Sequence, residues 1–146
     1  MNHWKIVKSI WQKVEAKNPI GTLSAQLSKL PTGYALQTYY GVSWNQHAHD
    51  PNQTAAFKLV CSNYNEAIKN HVCGHVRFLN FNTEQERYNA WQSYLTKFAR
   101  FCICMDESTK LAPYMGNYTQ PWDDQRFYEY FGLNKIEIQL IETVIK

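Results

Sequence analysis

The chain has 146 residues, of which 45% are apolar and 15% aromatic, so it carries enough core material to exclude an intrinsically disordered protein. Its net charge of +3 permits an acidic partner but is milder than that of most nucleic-acid-binding domains. No apolar run approaches the ~20 residues of a membrane-spanning helix, and the N-terminal segment lacks the apolar core of a signal peptide. We therefore expect one cytoplasmic domain over residues 1–146, with reduced cysteines.

The first half of the chain predicts a helix followed by three strands. Apolar side chains recur at helical spacing near the start, at Trp4, Val7, Trp11 and Val14. This pattern predicts an amphipathic helix over residues 3–17. Aromatic and β-branched residues predict strands at 34–44, 56–61 and 72–81. The intervening segments predict loops at 18–33 and 45–54, with short helices near Leu23 and over 63–70.

The strongest helical pattern covers residues 83–105. Thr83 followed three residues later by Glu86 is a capping-box pattern, which predicts a helix start. Apolar side chains then recur at steps of three or four, at Tyr88, Trp91, Leu95, Phe98, Cys102 and Met105. They should share one helix face that packs on the core. Ser93, Lys97 and Arg100 fall elsewhere on the cylinder, so we expect them to face solvent.

The C-terminal part predicts a loop over 106–121 and then two helices. Asp123 and Asp124 suit the N-terminus of a helix through Phe131, and Gly132 is a typical residue after a helix end. A last helix over 134–145 should begin at Asn134. The fold class predicted is α+β, with a small antiparallel sheet packed by the central amphipathic helix and a C-terminal helical pair.

Catalytic and cofactor motifs are missing from the sequence. It has neither a Gly-x-Gly-x-x-Gly fingerprint nor a phosphate-binding Gly-Lys-Ser/Thr loop, and Glu15-Ala16-Lys17 lacks the acidic partner that a metal-dependent nuclease needs. Histidines, cysteines and one aspartate could bind zinc if the fold gathered them: His47, His49, Asp50, Cys61, His71, Cys73, His75, Cys102 and Cys104. Their spacing matches no paired C-x₂-C site, and buried cysteines with a partly buried histidine face are the preferred interpretation. We expect no enzymatic activity, cofactor or metal.

Two blocks of sequence resemble a known family. The first is Phe-Leu-Asn-Phe-Asn-Thr-Glu at 78–84, followed by Tyr-Leu-Thr-Lys-Phe-Ala-Arg-Phe at 94–101. The second comprises Tyr-Met-Gly-Asn-Tyr-Thr-Gln-Pro-Trp-Asp-Asp at 114–124 and Phe-Tyr-Glu-Tyr-Phe-Gly-Leu at 127–133. Together they resemble the C-terminal, target-recognition region of Eco57I-like restriction–modification DNA adenine methyltransferases. The resemblance covers about residues 76–146. The chain departs from the family at Asp123, at Lys135-Ile136, and in lacking the catalytic Asn-Pro-Pro-Tyr core.

The resemblance implies a non-catalytic DNA-recognition module, separate from its methyltransferase domain. The DNA-contacting candidates are Ser93, Thr96, Lys97 and Arg100 on the central helix, and Tyr118 and Gln120 in the loop before Pro121. Partners would be double-stranded DNA or a methyltransferase or other defence-system protein. A different class fits the composition as well, namely a small protein-binding inhibitor such as a phage anti-defence or toxin-immunity protein, because Tyr, Trp and Arg also anchor protein interfaces.

Overall fold

The order of elements is that of a small α+β fold, as predicted. The computed structural model describes residues 3–18, 23–29, 34–39, 57–60, 76–106 and 113–145. Within these ranges lie helix α1 (His3–Lys17), a 3₁₀ turn (Leu23–Gln26), strands β1 (Tyr34–Tyr39), β2 (Phe57–Val60) and β3 (Val76–Phe81), and helices α2 (Glu84–Tyr94), α3 (Lys97–Asp106), α4 (Asp124–Phe131) and α5 (Lys135–Val144). The predicted loop at 45–54, helix at 63–70 and strand ends at 40–44 and 72–75 lie outside the described residues. None of the helices described is long and apolar enough to cross a bilayer.

The sheet is antiparallel, and β1 is its middle strand. The strand order is β2-β1-β3, with Leu36 of β1 opposite Leu79 of β3. Phe78 and Leu79 are adjacent and therefore point to opposite faces of the sheet, yet both are buried. Ser28 exchanges two backbone hydrogen bonds of 2.8 Å with Phe78, on the edge of β3 that β1 does not occupy. The segment after the 3₁₀ turn therefore covers an edge that would otherwise expose unpaired amides.

Helix α2 begins where the sequence predicts. The Thr83 hydroxyl oxygen accepts a hydrogen bond of 3.1 Å from the Glu86 N–H, which confirms the N-cap. The side chains after the cap do not all follow the predicted helix face. Trp91 is half-buried against the core, whereas Tyr88 is 47% exposed and its placement on the inner face is wrong.

The N-cap gives a direct test of the local structure. Replacing Thr83 by alanine removes the acceptor for the Glu86 N–H and should lower the free energy of unfolding by about 1 kcal/mol. Urea unfolding measures this change, and Thr83→Ser is the control because it keeps the hydroxyl. Equal stability of the alanine variant and the native chain would contradict the capping role.

The prediction of one continuous central helix is wrong. The helix breaks at Leu95 and Thr96, and the chain restarts as α3. The reason is non-local, because the Asp124 carboxylate accepts hydrogen bonds from the backbone N–H groups of Lys97 and Phe98 at 3.3 and 2.8 Å. These groups then need no acceptor in the preceding turn, so a new helix can begin there.

Aromatic rings form the centre of the core between α3 and α4. Phe98 is fully buried, and its ring stacks on Phe127 and Phe131 with centroids 4.8 and 5.3 Å away. Gly132 ends α4 with φ 65°, a left-handed conformation that glycine adopts without steric cost. This tight end directs the chain into α5, which returns along α1.

An ion pair between a partly exposed lysine and a buried glutamate joins the first helix to the last. Glu137 of α5 is 2% exposed, and its carboxylate accepts hydrogen bonds of 2.6 Å from both Lys13 Nζ and the Ser9 hydroxyl. The same side chain completes a capping box with Asn134, which confirms the predicted start of the last helix. One carboxylate therefore caps α5 and ties it to α1.

Candidate nucleic-acid interface

A buried polar network holds the loop before α4 against α2. The Asn89 side-chain amide donates to the carbonyl oxygens of Tyr118 and Thr119 at 2.9 and 3.0 Å. The Ser93 hydroxyl, 1% exposed, donates to the Asn89 carbonyl at 2.8 Å and accepts from the Trp122 N–H at 2.7 Å. Because buried polar groups are costly when unpaired, these bonds fix the backbone path of the loop.

Two tyrosine hydroxyls secure the beginning of the same loop. Tyr94 donates to the Pro113 carbonyl at 3.1 Å, and its oxygen lies 3.1 Å from that of Tyr118. The Tyr118 hydroxyl also accepts from the Met115 N–H at 3.1 Å. Burial raises the pKa of Tyr118 to about 12 and that of Tyr94 well above its usual value. Both phenols are therefore neutral at physiological pH and act as structural hydrogen-bonding groups.

These contacts correct two predicted DNA-contacting residues. Ser93 and Tyr118 were predicted to face solvent or a bound duplex, but both are buried and hydrogen-bonded inside the domain. The Ser93 partner, Trp122, lies 29 residues further along the chain, so helix phase alone could not reveal it. In the structure described, both side chains hold the loop in place through these hydrogen bonds.

The exposed part of the loop is polar. Asn117, Thr119, Gln120 and Pro121 are all exposed. The Asn117 side-chain oxygen accepts from the backbone N–H and the hydroxyl of Thr119 at 3.2 and 2.8 Å, which closes a local turn. The described residues offer the Gln120 side-chain amide no hydrogen-bonding partner, so both its donor and its acceptor face solvent.

An arginine that the sequence interpretation missed lies beside this loop. The Arg126 guanidinium stacks over the Trp122 ring at 3.8 Å from its centroid, and one of its nitrogens lies 3.5 Å from the Pro121 carbonyl. Stacking on an aromatic face holds the cation in place while its edge stays accessible. The sequence could have predicted this contact, because Trp122 and Arg126 are four residues apart across the start of a predicted helix.

The start of α3 is already occupied by protein groups. The Asp124 carboxylate binds two of its free N–H groups, and the Thr96 hydroxyl accepts from the Ala99 N–H at 3.2 Å. That hydroxyl also donates to the Ser93 carbonyl at 2.8 Å. Thr96 is therefore the N-cap of α3, and a phosphate could reach this helix end only by displacing Asp124.

The two predicted cations lie along α3, half-buried, with internal contacts. Lys97 Nζ pairs with the Glu142 carboxylate at 2.8 Å, and the Tyr128 hydroxyl donates to the same carboxylate at 3.0 Å. The hydrogen bond from Lys97 is the main reason that the pKa of Glu142 lies below its usual value. Arg100 Nε lies 3.4 Å from the Thr96 carbonyl. Phosphate binding by Lys97 would thus compete with Glu142.

The structure brings the predicted residues into one region without making them one surface. Ser93 and Tyr118 are buried, Thr96 caps α3, Lys97 and Arg100 are half-buried, and Gln120 is exposed. Within the described ranges no three histidine, cysteine or acidic side chains cluster as metal ligands. The zinc candidates from His47 to His75 lie outside those ranges.

Comparison of the chain with protein-family models, curated proteins and solved structures gave no match.

Proposed function

We propose that the chain is a non-catalytic DNA-recognition module, similar to the C-terminal region of restriction–modification adenine methyltransferases. The observation that supports this proposal is the loop 117–121, in which Asn117, Thr119 and Gln120 are exposed while the buried network of Asn89, Ser93 and Tyr118 fixes the backbone. A rigid polar loop suits recognition because little conformational entropy is lost on binding. The resemblance adds support, since its second block spans this loop.

The side chains around the loop have suitable chemistry for contacting a duplex. The Gln120 amide can donate and accept together, which matches the major-groove edge of adenine. The stacked Arg126 guanidinium presents a planar donor set to a guanine edge or a phosphate. Lys97 and Arg100 would contact phosphates, which position a protein on the duplex without reading its sequence.

Salt-dependent DNA binding tests the proposal. Each phosphate contact adds roughly 0.9 to the slope of log affinity against log salt concentration. The double variant Lys97→Ala, Arg100→Ala should therefore weaken binding to every sequence and reduce the slope by roughly two. Fluorescence anisotropy with a labelled duplex at several salt concentrations measures both effects, and circular dichroism checks folding.

Glu142 provides an independent arm of the same test. Glu142→Gln removes the charge that competes for Lys97 but keeps an oxygen that can accept from Tyr128, so DNA affinity should rise. The matched control is Glu129→Gln, which removes an exposed carboxylate from α4 whose hydrogen-bonding partner is Gln125 rather than Lys97. Equal effects of the two variants would mean that only net charge matters and would contradict a phosphate contact by Lys97.

A native chain that binds no duplex even at low salt would contradict the DNA-recognition proposal. The alternative, a protein-binding inhibitor, is favoured by a separate observation. Three large apolar side chains of the described residues are exposed: Trp4, Tyr88 and Ile136. An apolar protein interface would weaken little with salt, which distinguishes the two proposals.

A further inference from the structure

A small pocket lies between α1 and the first turn of α5. Its volume is ≈ 210 Å³, and its lining residues are Lys5, Ile6, Ser9, Asn134, Ile136 and Glu137. Pockets for cofactors and drug-sized ligands usually measure roughly 300–1,000 Å³. This pocket is smaller, so its size suits a single side chain of a partner.

The polar floor of the pocket has no unmet hydrogen bonds. The Glu137 carboxylate accepts from Ser9, from Lys13 and, at 2.8 Å, from the Asn134 backbone N–H. The Lys13 ammonium also balances the Glu137 charge at 2.6 Å. A ligand therefore does not need to bring a cation or a donor to this carboxylate.

The other lining residues of the pocket are two isoleucines and a lysine. Ile6 is half-buried and Ile136 is 49% exposed, so apolar surface faces the opening. Lys5 is exposed, and no carboxylate of the described residues forms a salt bridge with it. With Glu137 and Lys13 balanced, Lys5 leaves the pocket with one net positive charge.

We propose that this pocket docks a protein partner through one apolar side chain next to a carboxylate, the apolar group contacting Ile6 and Ile136 and the carboxylate pairing with Lys5. Burial of apolar surface would supply most of the affinity, and the charge would select acidic over basic segments. The inference is independent of the proposed DNA contacts, because none of the lining residues belongs to that region.

The probe for this site is acetyl-Leu-Asp-amide, titrated into the native chain labelled at its isoleucine methyl groups. We expect the methyl signals of Ile6 and Ile136 to shift and saturate with a Kd on the order of 1 mM, as for a two-residue fragment of a larger ligand. Acetyl-Leu-Asn-amide has the same shape without the charge and should bind roughly three- to five-fold more weakly. Acetyl-Gly-Asp-amide should give no saturable shift.

Two variants test whether Lys5 is the positive charge that favours the aspartyl peptide. Lys5→Glu should abolish the preference for the aspartyl over the asparaginyl peptide, whereas Lys8→Glu, an exposed lysine of the same helix outside the pocket, should preserve it. Amide spectra of both variants report folding. The proposal is overturned if the methyl signals do not saturate, if the two peptides bind the native chain equally, or if only Lys8→Glu removes the preference. It is also overturned if these methyl signals shift on dilution of the protein alone, because a second copy would then occupy the pocket.

Discussion

Replacing Phe98 by alanine should destabilise the domain by about 3–5 kcal/mol. The Phe98 ring is fully buried and is shared by two stacked partners on α4, Phe127 and Phe131. Its loss removes apolar burial and leaves a cavity that α3 and α4 cannot close without shifting. Because small domains are stable by only about 5–15 kcal/mol, this substitution should remove a large part of the total.

Chemical denaturation measures this loss as a lower urea midpoint with an unchanged slope. Tyr88→Ala is the matched control, since that aromatic side chain is half exposed and should cost less than about 1 kcal/mol. A Phe98→Ala variant as stable as the Tyr88 variant would contradict the packing of α3 on α4.

Glu137→Gln should be the second most destabilising change, at about 1.5–3 kcal/mol near neutral pH. Glutamine keeps the shape of the side chain but weakens the charge-assisted hydrogen bonds from Lys13 and Ser9. It also leaves Lys13 without its counter-charge, although that ammonium can still reach water. The measurement is again urea unfolding, with Glu129→Gln as the exposed control.

The pH dependence of this difference follows from the state of the Glu137 carboxyl. Burial alone would raise its pKa, but hydrogen bonds from Lys13, Ser9 and the Asn134 N–H outweigh burial and hold the pKa below the usual value of 4.5. The carboxylate therefore stabilises the fold fully above about pH 4.5, and this contribution is lost as the pH falls through the lowered pKa. The difference in stability between the native chain and Glu137→Gln should shrink over that range. A constant difference down to pH 3 would contradict an ionised Glu137.

Features set by neighbouring residues were predictable from the sequence. The caps at Thr83, Asp123 and Asn134 each use a backbone N–H three residues ahead, so spacing and residue type suffice to locate them. The helix starts of α2, α4 and α5 are therefore confirmed. The fold class also follows from such local patterns, because they identify most of the helices and strands.

Features that depend on distant residues were not predictable. The break between α2 and α3 has one local signal, the Thr96 cap, but the Asp124 carboxylate that stabilises it is distant in sequence, and apolar spacing runs through the break without interruption. The candidate site was predicted less well than the fold for this reason. Helix phase placed Ser93 on the surface, whereas its hydroxyl is buried and accepts a hydrogen bond from the Trp122 N–H. Lys97 was predicted as an outward cation, but its pairing with Glu142 needs the fold of α5.

The ion pair between α1 and α5 has a consequence for synthesis on the ribosome. Lys13 and Glu137 are 124 residues apart, so at ~5–20 residues per second Lys13 is added to the chain between about 6 and 25 s before its partner carboxylate. During that interval Val7, Ile10 and Val14 cannot pack against the C-terminal helices. The nascent chain thus carries an uncovered apolar helix face until the C-terminal helices have been synthesised.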